Sequence, residues 1–353
     1  MLTQLVIGNF KRLDEVDIPL GETSLFIGPN NSGKTTALQA LALWEAGLRK
    51  WSEKRAKTSG KRRVGVALNR RDLLSIPTPS AKLLWRDLHV RDVGRDNGKP
   101  RARNVLITIR VDGVGRADGV DESRPWSCGL EFDFANEESI YCRPMRLRPD
   151  DGQRSEIPRQ AVRERIAYLP PMSGLAEREF RKEPGEIGVF IGEGQTAQVL
   201  RNLCHRVFSK NDDFESWRRL AKAMADLFGV ELLDPVYLKE RSEIIVRYRE
   251  ERSGVILDLS SAGRGFQQVL LLLAYLHDNP GTVLLLDEPD AHLEILRQRD
   301  IYNLITEVGR ERGCPIVAAS HSEVILNEAG ERDVAWGMLA HTLLISNDFL
   351  YVR

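Results

Sequence analysis

The chain has 353 residues, of which 42% are hydrophobic and 29% charged, with 51 basic and 51 acidic side chains. This length allows one large domain or two ordinary ones, and balanced charge favours no particular class of partner. The four cysteines are scattered and form no Cys-x-x-Cys pair, which argues against a disulfide framework or a zinc site and favours a reducing compartment. No stretch approaches 18 apolar residues, so we expect a cytoplasmic protein without a membrane partner.

The first 48 residues predict two short strands, a glycine-rich loop and a helix. The strands are Thr3–Gly8 and Val16–Leu20. The loop, GPNNSGKTT at 28–36, matches G-x-x-x-x-G-K-[ST] and follows the apolar run Ser24–Ile27. This context is typical of a phosphate-binding loop, because glycines let backbone N–H groups converge on phosphate oxygens at a helix N-terminus. The alternative is a glycine-rich turn that caps an ordinary helix.

The loop residues are therefore candidates for binding ATP and Mg²⁺. Lys34 is predicted to reach the β- and γ-phosphates, and the Thr35 hydroxyl is predicted to bind Mg²⁺. The other residues predicted to line the phosphate site are Gly28, Pro29, Asn30, Asn31, Ser32, Gly33 and Thr36.

Residues 49–161 predict an insertion with a basic segment followed by antiparallel strands. From Arg49 to Arg71 the chain carries ten basic residues and one acid. We expect a loop at 95–103. From 104 to 147 apolar and polar residues alternate, which indicates half-buried antiparallel strands. Within the basic segment, WSEKRAKTSGKRR at 51–63 is the best candidate for contacting DNA, RNA or an acidic partner, with a solvated or disordered loop as the alternative. The candidate nucleic-acid contacts are Lys61, Arg62 and Arg63.

Residues 1–48 and 162–353 are predicted to form one core, which includes a helical and hairpin subdomain at 195–260. In its second part strands and helices alternate, which predicts a parallel sheet with covered faces. The predicted elements are a strand at Arg165–Leu169, two helical pieces within 195–228, a hairpin around 250–254, a helix at Phe266–His277, a strand at Thr282–Leu286, a helix at Ala291–Arg312 and a strand at Pro315–Ala319.

Two adjacent carboxylates follow the buried strand of VLLLDEPDAHLE, residues 283–294. Active sites of open α/β sheets lie at the carboxyl ends of the strands. Asp287 is therefore predicted to hold Mg²⁺ through water, and Glu288 to polarise the attacking water. The alternative is an acidic strand-to-helix turn, in which the helix dipole favours Glu288.

These two motifs, with LSSAGRGFQQ at 259–268, resemble the ATP-binding-cassette ATPases. The likeness is greatest to the soluble branch, which includes structural-maintenance-of-chromosomes proteins, RecF, RecN and overcoming-lysogenization-defect ATPases, and it spans 1–48 and about 162–330. It implies an α/β fold of the P-loop NTPase type, with a mixed sheet that has a parallel core, an antiparallel β subdomain and a helical signature subdomain. Residues 170–240 show no sustained heptads for a long coiled coil. The chain contains no Asp-x-Asp of a Toprim domain, so we expect any nuclease to be a separate polypeptide.

The resemblance also implies a homodimer in which each ATP lies between the phosphate loop of one subunit and the signature loop of the other. Ser261, Ala262 and Gly263 match the signature, although Ala262 replaces a glycine. Ser261 could instead serve as the N-cap of the next helix. The resemblance makes His321 a contact of the γ-phosphate, although a lone histidine at a strand end is more often structural. It adds three further contacts with the nucleotide or the partner: Lys11, Arg12 and Asp290.

Lys11 and Arg12 could equally be surface charge. The family places a glutamine after the strand predicted at Arg165–Leu169, but residues 168–174 contain no glutamine.

We predict an ATPase that acts as a molecular switch, in which ATP joins two subunits and hydrolysis releases them. By analogy with the relatives, its setting would be DNA maintenance or defence against phage and plasmids. The alternative is an ATP-sensing regulatory subunit that docks a separately encoded effector, such as a nuclease, through residues 49–160. A transport subunit is disfavoured, because transport cassettes place the signature much nearer the phosphate loop.

Overall fold

The computed structural model describes residues 1–55, 65–96, 99–116, 123–147, 153–172, 174–210, 214–332 and 350–352. The chain forms two compact units, which divide between Ala167 and Tyr168. The predicted nucleic-acid contacts Lys61, Arg62 and Arg63 lie outside the described residues.

The first unit is mainly antiparallel. Its elements are β1 (Leu2–Phe10), β2 (Leu13–Pro19), β3 (Thr23–Ile27), α1 (Lys34–Arg55), β4 (Val66–Asn69), β5 (Arg91–Asp96), β6 (Lys99–Asn104), β7 (Ile107–Arg116), β8 (Ser123–Asn136), β9 (Ser139–Pro144) and α2 (Arg159–Arg163), and β10 (Ile166–Leu169) spans the division. Six strands form an antiparallel sheet in the order β2-β1-β7-β8-β9-β4. On β7, Ile107, Ile109 and Val111 are fully buried. The antiparallel strands predicted for 104–147 are confirmed. The predicted half-burial does not hold on β8, where Glu131 and Asp133 are buried as well, because both carboxylates pair with Arg143.

Helix α1 packs on the inner face of this sheet. Trp44 stacks on Trp126 with ring centroids 6.4 Å apart, and its indole N–H donates to the carbonyl of Cys128 at 2.9 Å. A Cβ at Gly47 would lie 2.9 Å from Phe132 Cε1, so only glycine allows this approach of helix and sheet. The packing holds α1 firmly, and with it the loop that precedes the helix.

Residues 91–104 form a β-hairpin rather than the loop predicted at 95–103. Strands β5 and β6 pair antiparallel, in a register from Arg91↔Asn104 to Asp96↔Lys99. The Asn97-Gly98 pair in the sequence is a hairpin signal. The flanking residues are mostly charged, however, and so they lack the hydrophobic alternation from which strands are predicted.

The second unit carries a parallel strand pair, helices and small antiparallel sheets. Its elements are α3 (Pro184–Gly192), α4 (Leu200–Ser209), α5 (Glu215–Phe228), β11 (Val230–Leu232), β12 (Val236–Leu238), β13 (Glu243–Ile245), β14 (Arg247–Glu250), β15 (Ile256–Asp258), α6 (Arg264–Asp278), β16 (Val283–Asp287), α7 (Ile295–Glu311), β17 (Ile316–Ser320) and α8 (Glu323–Arg332). A last strand, β18 (Leu350–Val352), lies near the C-terminus. Strands β16 and β17 are buried along their whole length and pair parallel, with Asp287 opposite Ala319. The buried parallel strands, the two helical pieces and the β14–β15 hairpin agree with the sequence predictions.

Helix α7 begins four residues later than predicted, at Ile295 instead of Ala291. The preceding residues form turns, and Glu288 (φ 48°) and His292 (φ 68°) are left-handed, which a right-handed helix cannot accommodate. Helices α3 and α8 are not evident from the sequence, because α3 contains three glycines and a proline and the apolar residues of α8 form one short run.

Two predictions from composition can be compared with the structure. All four cysteines are free and buried, as expected without a disulfide framework. Within the described ranges, no helix combines the length and the apolar character needed to cross a membrane.

Candidate nucleotide site and signature loop

The predicted strand, loop and helix are all present around residues 28–36. The loop leaves β3, which is buried, and enters α1 with the Ala37 N–H donating to the Gly33 carbonyl at 2.9 Å. Asn31 (φ 65°) and Gly33 (φ 108°) take left-handed conformations. Glycine and asparagine adopt this region with little strain, which explains these residue types at two turns of the loop.

Lys34 lies against the loop at the first turn of α1. Its side chain is buried, and Nζ donates to the carbonyls of Gly28 and Pro29, each at 2.8 Å. The first turn of α1 contains no acidic residue, so no side chain of that turn neutralises the positive end of the helix. An ammonium group and a helix N-terminus together favour a bound anion.

Two hydroxyls on this loop fit a magnesium–triphosphate group. Among the described residues, Ser32 Oγ is buried without a hydrogen-bond partner. Leaving such a group unsatisfied costs about 1–3 kcal/mol, and a phosphate oxygen would relieve this. Thr35, three residues further along, has an exposed side chain. The residues present therefore match the chemistry of the group that the motif predicts.

Lys11 and Arg12 both lie beside the phosphate loop. A Cβ at Gly33 would lie 3.5 Å from Arg12 Cδ, so the Arg12 side chain covers the backbone of the loop. Lys11 Nζ donates to Gln39 Oε1 on α1 at 2.5 Å, and burial lowers the pKa of Lys11 to about 8. The Arg12 side chain thus lies against the loop, and the Lys11 side chain contacts α1.

In the second unit, Asp287 ends β16 and is buried. Its Oδ2 accepts a hydrogen bond from the Tyr168 hydroxyl at 2.8 Å. Burial, and then the negative charges of Asp287 and Glu288, raise the pKa of Tyr168 well above its usual range. The phenol therefore stays protonated and serves as a donor.

Glu288 and His321 come together at the carboxyl ends of the parallel strands. Glu288 Oε1 lies 3.7 Å from His321 Nδ1, and both side chains are partly exposed, Glu288 by 38% and His321 by 53%. The Glu288 N–H donates to the Ala319 carbonyl at 2.8 Å. Its left-handed backbone (φ 48°) costs a glutamate roughly 1–3 kcal/mol, and such strain concentrates at functional sites.

Asp290 is buried rather than presented at the surface for a partner. It is 4% exposed, and its Oδ1 has no hydrogen-bond partner among the described residues. It borders a small, mainly apolar pocket with Leu286, Leu293 and Ile301. Any contact of Asp290 with a second subunit would therefore require a rearrangement of this turn.

The signature loop is exposed at the start of α6. Ser261 ends a short 3₁₀ turn, and Gly263, not Ser261, occupies the N-cap of α6, so the alternative interpretation of Ser261 as a helix cap is wrong. Ser261 and Gly263 are exposed, and Ala262 is half-buried. As in α1, the first turn of α6 contains no acidic residue. This end of α6 is therefore also suited to a negative group.

Polar contacts hold the signature loop in place. Asp258 Oδ1 accepts hydrogen bonds from the Ser260 N–H at 2.9 Å and from the Arg201 guanidinium at 2.8 Å. Burial by itself would raise the pKa of Asp258, but these hydrogen bonds outweigh it and lower the pKa. The Gln267 amide donates to the carbonyls of Leu259 and Ala262 at 3.1 and 2.9 Å. The exposed serine is thus presented on a loop with little freedom.

The predicted residues fall into two groups. Asp287, Glu288, Asp290, His321 and the signature loop belong to the second unit, and the phosphate loop, Lys11 and Arg12 belong to the first. Sequence reasoning missed Tyr168, Arg201 and Gln267. The family pattern predicts a glutamine in 168–174, so it gives no signal for the tyrosine at the first of these positions.

Comparison with known families decides the class of the chain. The model of the family "AAA domain, putative AbiEii toxin, Type IV TA system" matches residues 151–327, half of the chain. The chain belongs to this family. A second model, "AAA ATPase domain", matches 1–56, the part with the phosphate loop. The resemblance to ATPases of the cassette type is confirmed, and the chain is an AAA/ABC-type ATPase domain with the predicted α/β fold class.

Individual proteins match more weakly than the family models. The OLD nuclease of Thermus scotoductus is 46% identical over 43 residues, which is 12% of this chain and 8% of that protein. The match thus covers only a small part of the length of that relative. The SMC head domain from Thermotoga maritima superposes with a TM-score of 0.48 at 15% identity, over 93% of this chain and 91% of that one. The Smc head domain with an extended coiled coil from Pyrococcus furiosus superposes with a TM-score of 0.49 at 14% identity, over 93% of this chain and 91% of that one.

Proposed function

We propose that this ATPase domain binds ATP with Mg²⁺ between two copies of the chain, hydrolyses it, and so switches between a joined and a separated state. The observation that carries the proposal is the Glu288–His321 pair, 3.7 Å apart, at the carboxyl ends of two parallel strands. A strained, partly exposed glutamate beside an imidazole can accept a proton from water and respond to a nearby phosphate.

The roles follow from the chemistry of each group. Lys34 and the amides of the phosphate loop would hold the β- and γ-phosphates, and Thr35 and Asp287 would hold Mg²⁺. Mg²⁺, when bound, would neutralise charge on the phosphate oxygens. Glu288 would orient the attacking water and accept its proton, while His321 would contact the γ-phosphate. Such catalysis is mainly positioning and charge stabilisation.

The signature loop supports the assembly of two subunits. Ser261 and Gly263 are exposed at a helix N-terminus, and the loop is braced from behind by Arg201 and Gln267. A braced, exposed anion-binding loop suits a phosphate group that arrives with another molecule. In the proposed dimer, each signature loop would face the triphosphate held by the other subunit, so that both copies complete two equivalent sites.

Light scattering of the purified chain tests this function. We expect the wild-type mass to double on addition of MgATP and to return to the monomer as ATP is consumed. Glu288→Gln keeps the size of the side chain but removes the base, so it should remain dimeric with ATP and hydrolyse it at least a hundredfold more slowly. An unchanged mass with MgATP, in the wild type and in Glu288→Gln, would refute the switch.

A second role, docking of a separately encoded effector such as a nuclease, is favoured by the β5–β6 hairpin. This hairpin pairs only with itself among the described strands, and the Val93 side chain is 81% exposed on it. The printed name of the family refers to a type IV toxin–antitoxin system, and OLD nuclease is the name of the matching relative. Co-purification of a second protein, lost on shortening of the hairpin, would support this role. A partner that binds equally well without the hairpin would refute docking there.

A further inference from the structure

We propose that Tyr168 is a positioning residue for Asp287, and that Gln268, on helix α6 behind the signature loop, holds the segment that carries Tyr168. The segment Tyr168–Met172 would then link α6 to the carboxylate that is proposed to hold Mg²⁺. This link rests on the proposed function, because it concerns the same site.

The first half of the link is the contact between Tyr168 and Asp287. Both side chains are buried, and the hydroxyl donates to Oδ2 at 2.8 Å. A carboxylate with one oxygen held in this way cannot rotate freely about its Cβ–Cγ bond. A partner that orients a metal ligand contributes to metal affinity although it does not touch the metal.

The second half of the link connects the same segment to α6. Gln268 is 2% exposed, and its Oε1 accepts a hydrogen bond from the Met172 N–H at 2.9 Å. Pro170 and Pro171 lie between the two anchored ends, and the proline ring fixes φ, so the connection is stiff. Tyr168 therefore cannot move away from Asp287 without strain on the contact at Gln268.

Helix α6 places Gln268 close to the signature loop. The helix begins at Arg264, directly after Gly263, and Gln268 lies about one turn further along. A displacement of the signature loop would be passed through this first turn to Met172, and from there to Tyr168. The geometry thus assigns a physical connection between the partner-facing loop and Asp287.

The test removes single polar groups and measures metal binding apart from turnover. Tyr168→Phe deletes only the hydroxyl. Tyr248→Phe is the matched control, because Tyr248 is also buried in the second unit and packs on Phe266 instead of on Asp287. We expect the affinity for ATP in EDTA to stay within about twofold of wild type in both variants. The Mn²⁺ affinity of the ATP complex, measured by electron paramagnetic resonance, should fall roughly tenfold in Tyr168→Phe alone.

Gln268→Met tests the second contact, since methionine fills similar space without the acceptor. It should also weaken Mn²⁺ binding. The double variant, Tyr168→Phe with Gln268→Met, should bind Mn²⁺ almost as tightly as Tyr168→Phe alone, because both substitutions act through one link. Thermal melts verify that each variant is folded. Wild-type Mn²⁺ affinity in Tyr168→Phe, or multiplicative effects in the double variant, would overturn the link while leaving the ATPase intact. A wild-type chain that binds no ATP would overturn both.

Discussion

Glu288 Oε1 and His321 Nδ1 lie 3.7 Å apart although 33 positions separate them in the chain. Their proximity follows from the register of β16 and β17, in which Asp287 is opposite Ala319. Glu288 comes one residue after this pair on its strand, and His321 comes two residues after it on the other. The Glu288 N–H donates to the Ala319 carbonyl, which ties the turn after β16 to the end of β17. The pair is therefore a consequence of parallel pairing, which brings a carboxylate and an imidazole together at one sheet edge.

His321→Ala should slow ATP hydrolysis by about ten- to a hundredfold while leaving ATP binding nearly unchanged, because the imidazole is proposed to act on the γ-phosphate during turnover. Steady-state phosphate release and equilibrium nucleotide binding separate the two effects. His205→Ala, at a partly buried histidine on α4 in the same unit, is the control. Equal losses in both variants would argue against a catalytic part for His321.

Lys34→Met should abolish measurable ATP binding, because it removes the ammonium that lies against the phosphate loop and keeps the length of the side chain. Calorimetry with MgATP would record the loss. Lys222→Met removes an exposed lysine from α5 and should bind as the wild type does. ATP uptake by Lys34→Met with wild-type heat would contradict the assignment of the loop.

Ser261→Arg should prevent the ATP-dependent dimer without preventing ATP binding to each monomer, since the bulky cation would occupy the space of the partner's phosphates. Light scattering and nucleotide binding, measured on the same sample, distinguish these outcomes. Ser253→Arg places the same change in the exposed turn after β14 and should dimerise normally. A Ser261→Arg chain that still dimerises with ATP would remove the signature loop from the interface.

Glu131→Gln should destabilise the first unit by about 3 kcal/mol at neutral pH and by less at pH 3. Glu131 is 6% exposed in its side chain and accepts from Arg154 at 2.8 Å and from the Arg146 N–H at 2.9 Å. Burial would raise the pKa of Glu131, but these contacts outweigh it and hold the pKa below 4.5. Its stabilising effect is therefore complete above pH 4.5 and is lost as the pH falls through the lowered value.

Urea unfolding at pH 7 and at pH 3 measures this dependence. Glu138→Gln is the control, because the Glu138 side chain is 70% exposed and its ion pair with Arg70 is worth little. A Glu131→Gln chain with the same loss of stability at both pH values would show that the effect comes from packing and not from charge.

Substitution of Lys61, Arg62 and Arg63 by Glu should weaken binding to duplex DNA and flatten its salt dependence, if these residues contact phosphates. Each lost contact should lower the slope of log affinity against log salt by about 0.9. The β5–β6 hairpin carries five basic and two acidic residues, so Arg91→Glu with Arg103→Glu forms a second test set.

Arg252→Glu, a single charge reversal in the exposed turn between β14 and β15, measures how far such a change at an unrelated site alters DNA binding. Affinity and slope that match this control in both test sets would exclude the two basic regions as nucleic-acid contacts.

Much of the fold was predictable because short-range patterns encode it. The strand, loop and helix around Lys34 follow from an apolar run, a glycine pattern and a helical segment that adjoin one another in the chain. The strand before Asp287 and the strand before His321 were visible as short apolar runs, and their alternation with helices predicted a parallel sheet. The β5–β6 hairpin was missed because its charged strands carry no such run.

The sequence by itself determined the ATPase class and the place of the glycine-rich loop between strand and helix, since both depend on residues at fixed local spacing. Only the tertiary structure decided that Tyr168 holds Asp287 across 119 positions and that Gln268 holds Met172 across 96. Such hydrogen bonds depend on how buried elements pack, because a hydroxyl or an amide has many possible hydrogen-bond partners along a chain. Packing selects one of them, so contacts of this kind become visible only once the chain is folded.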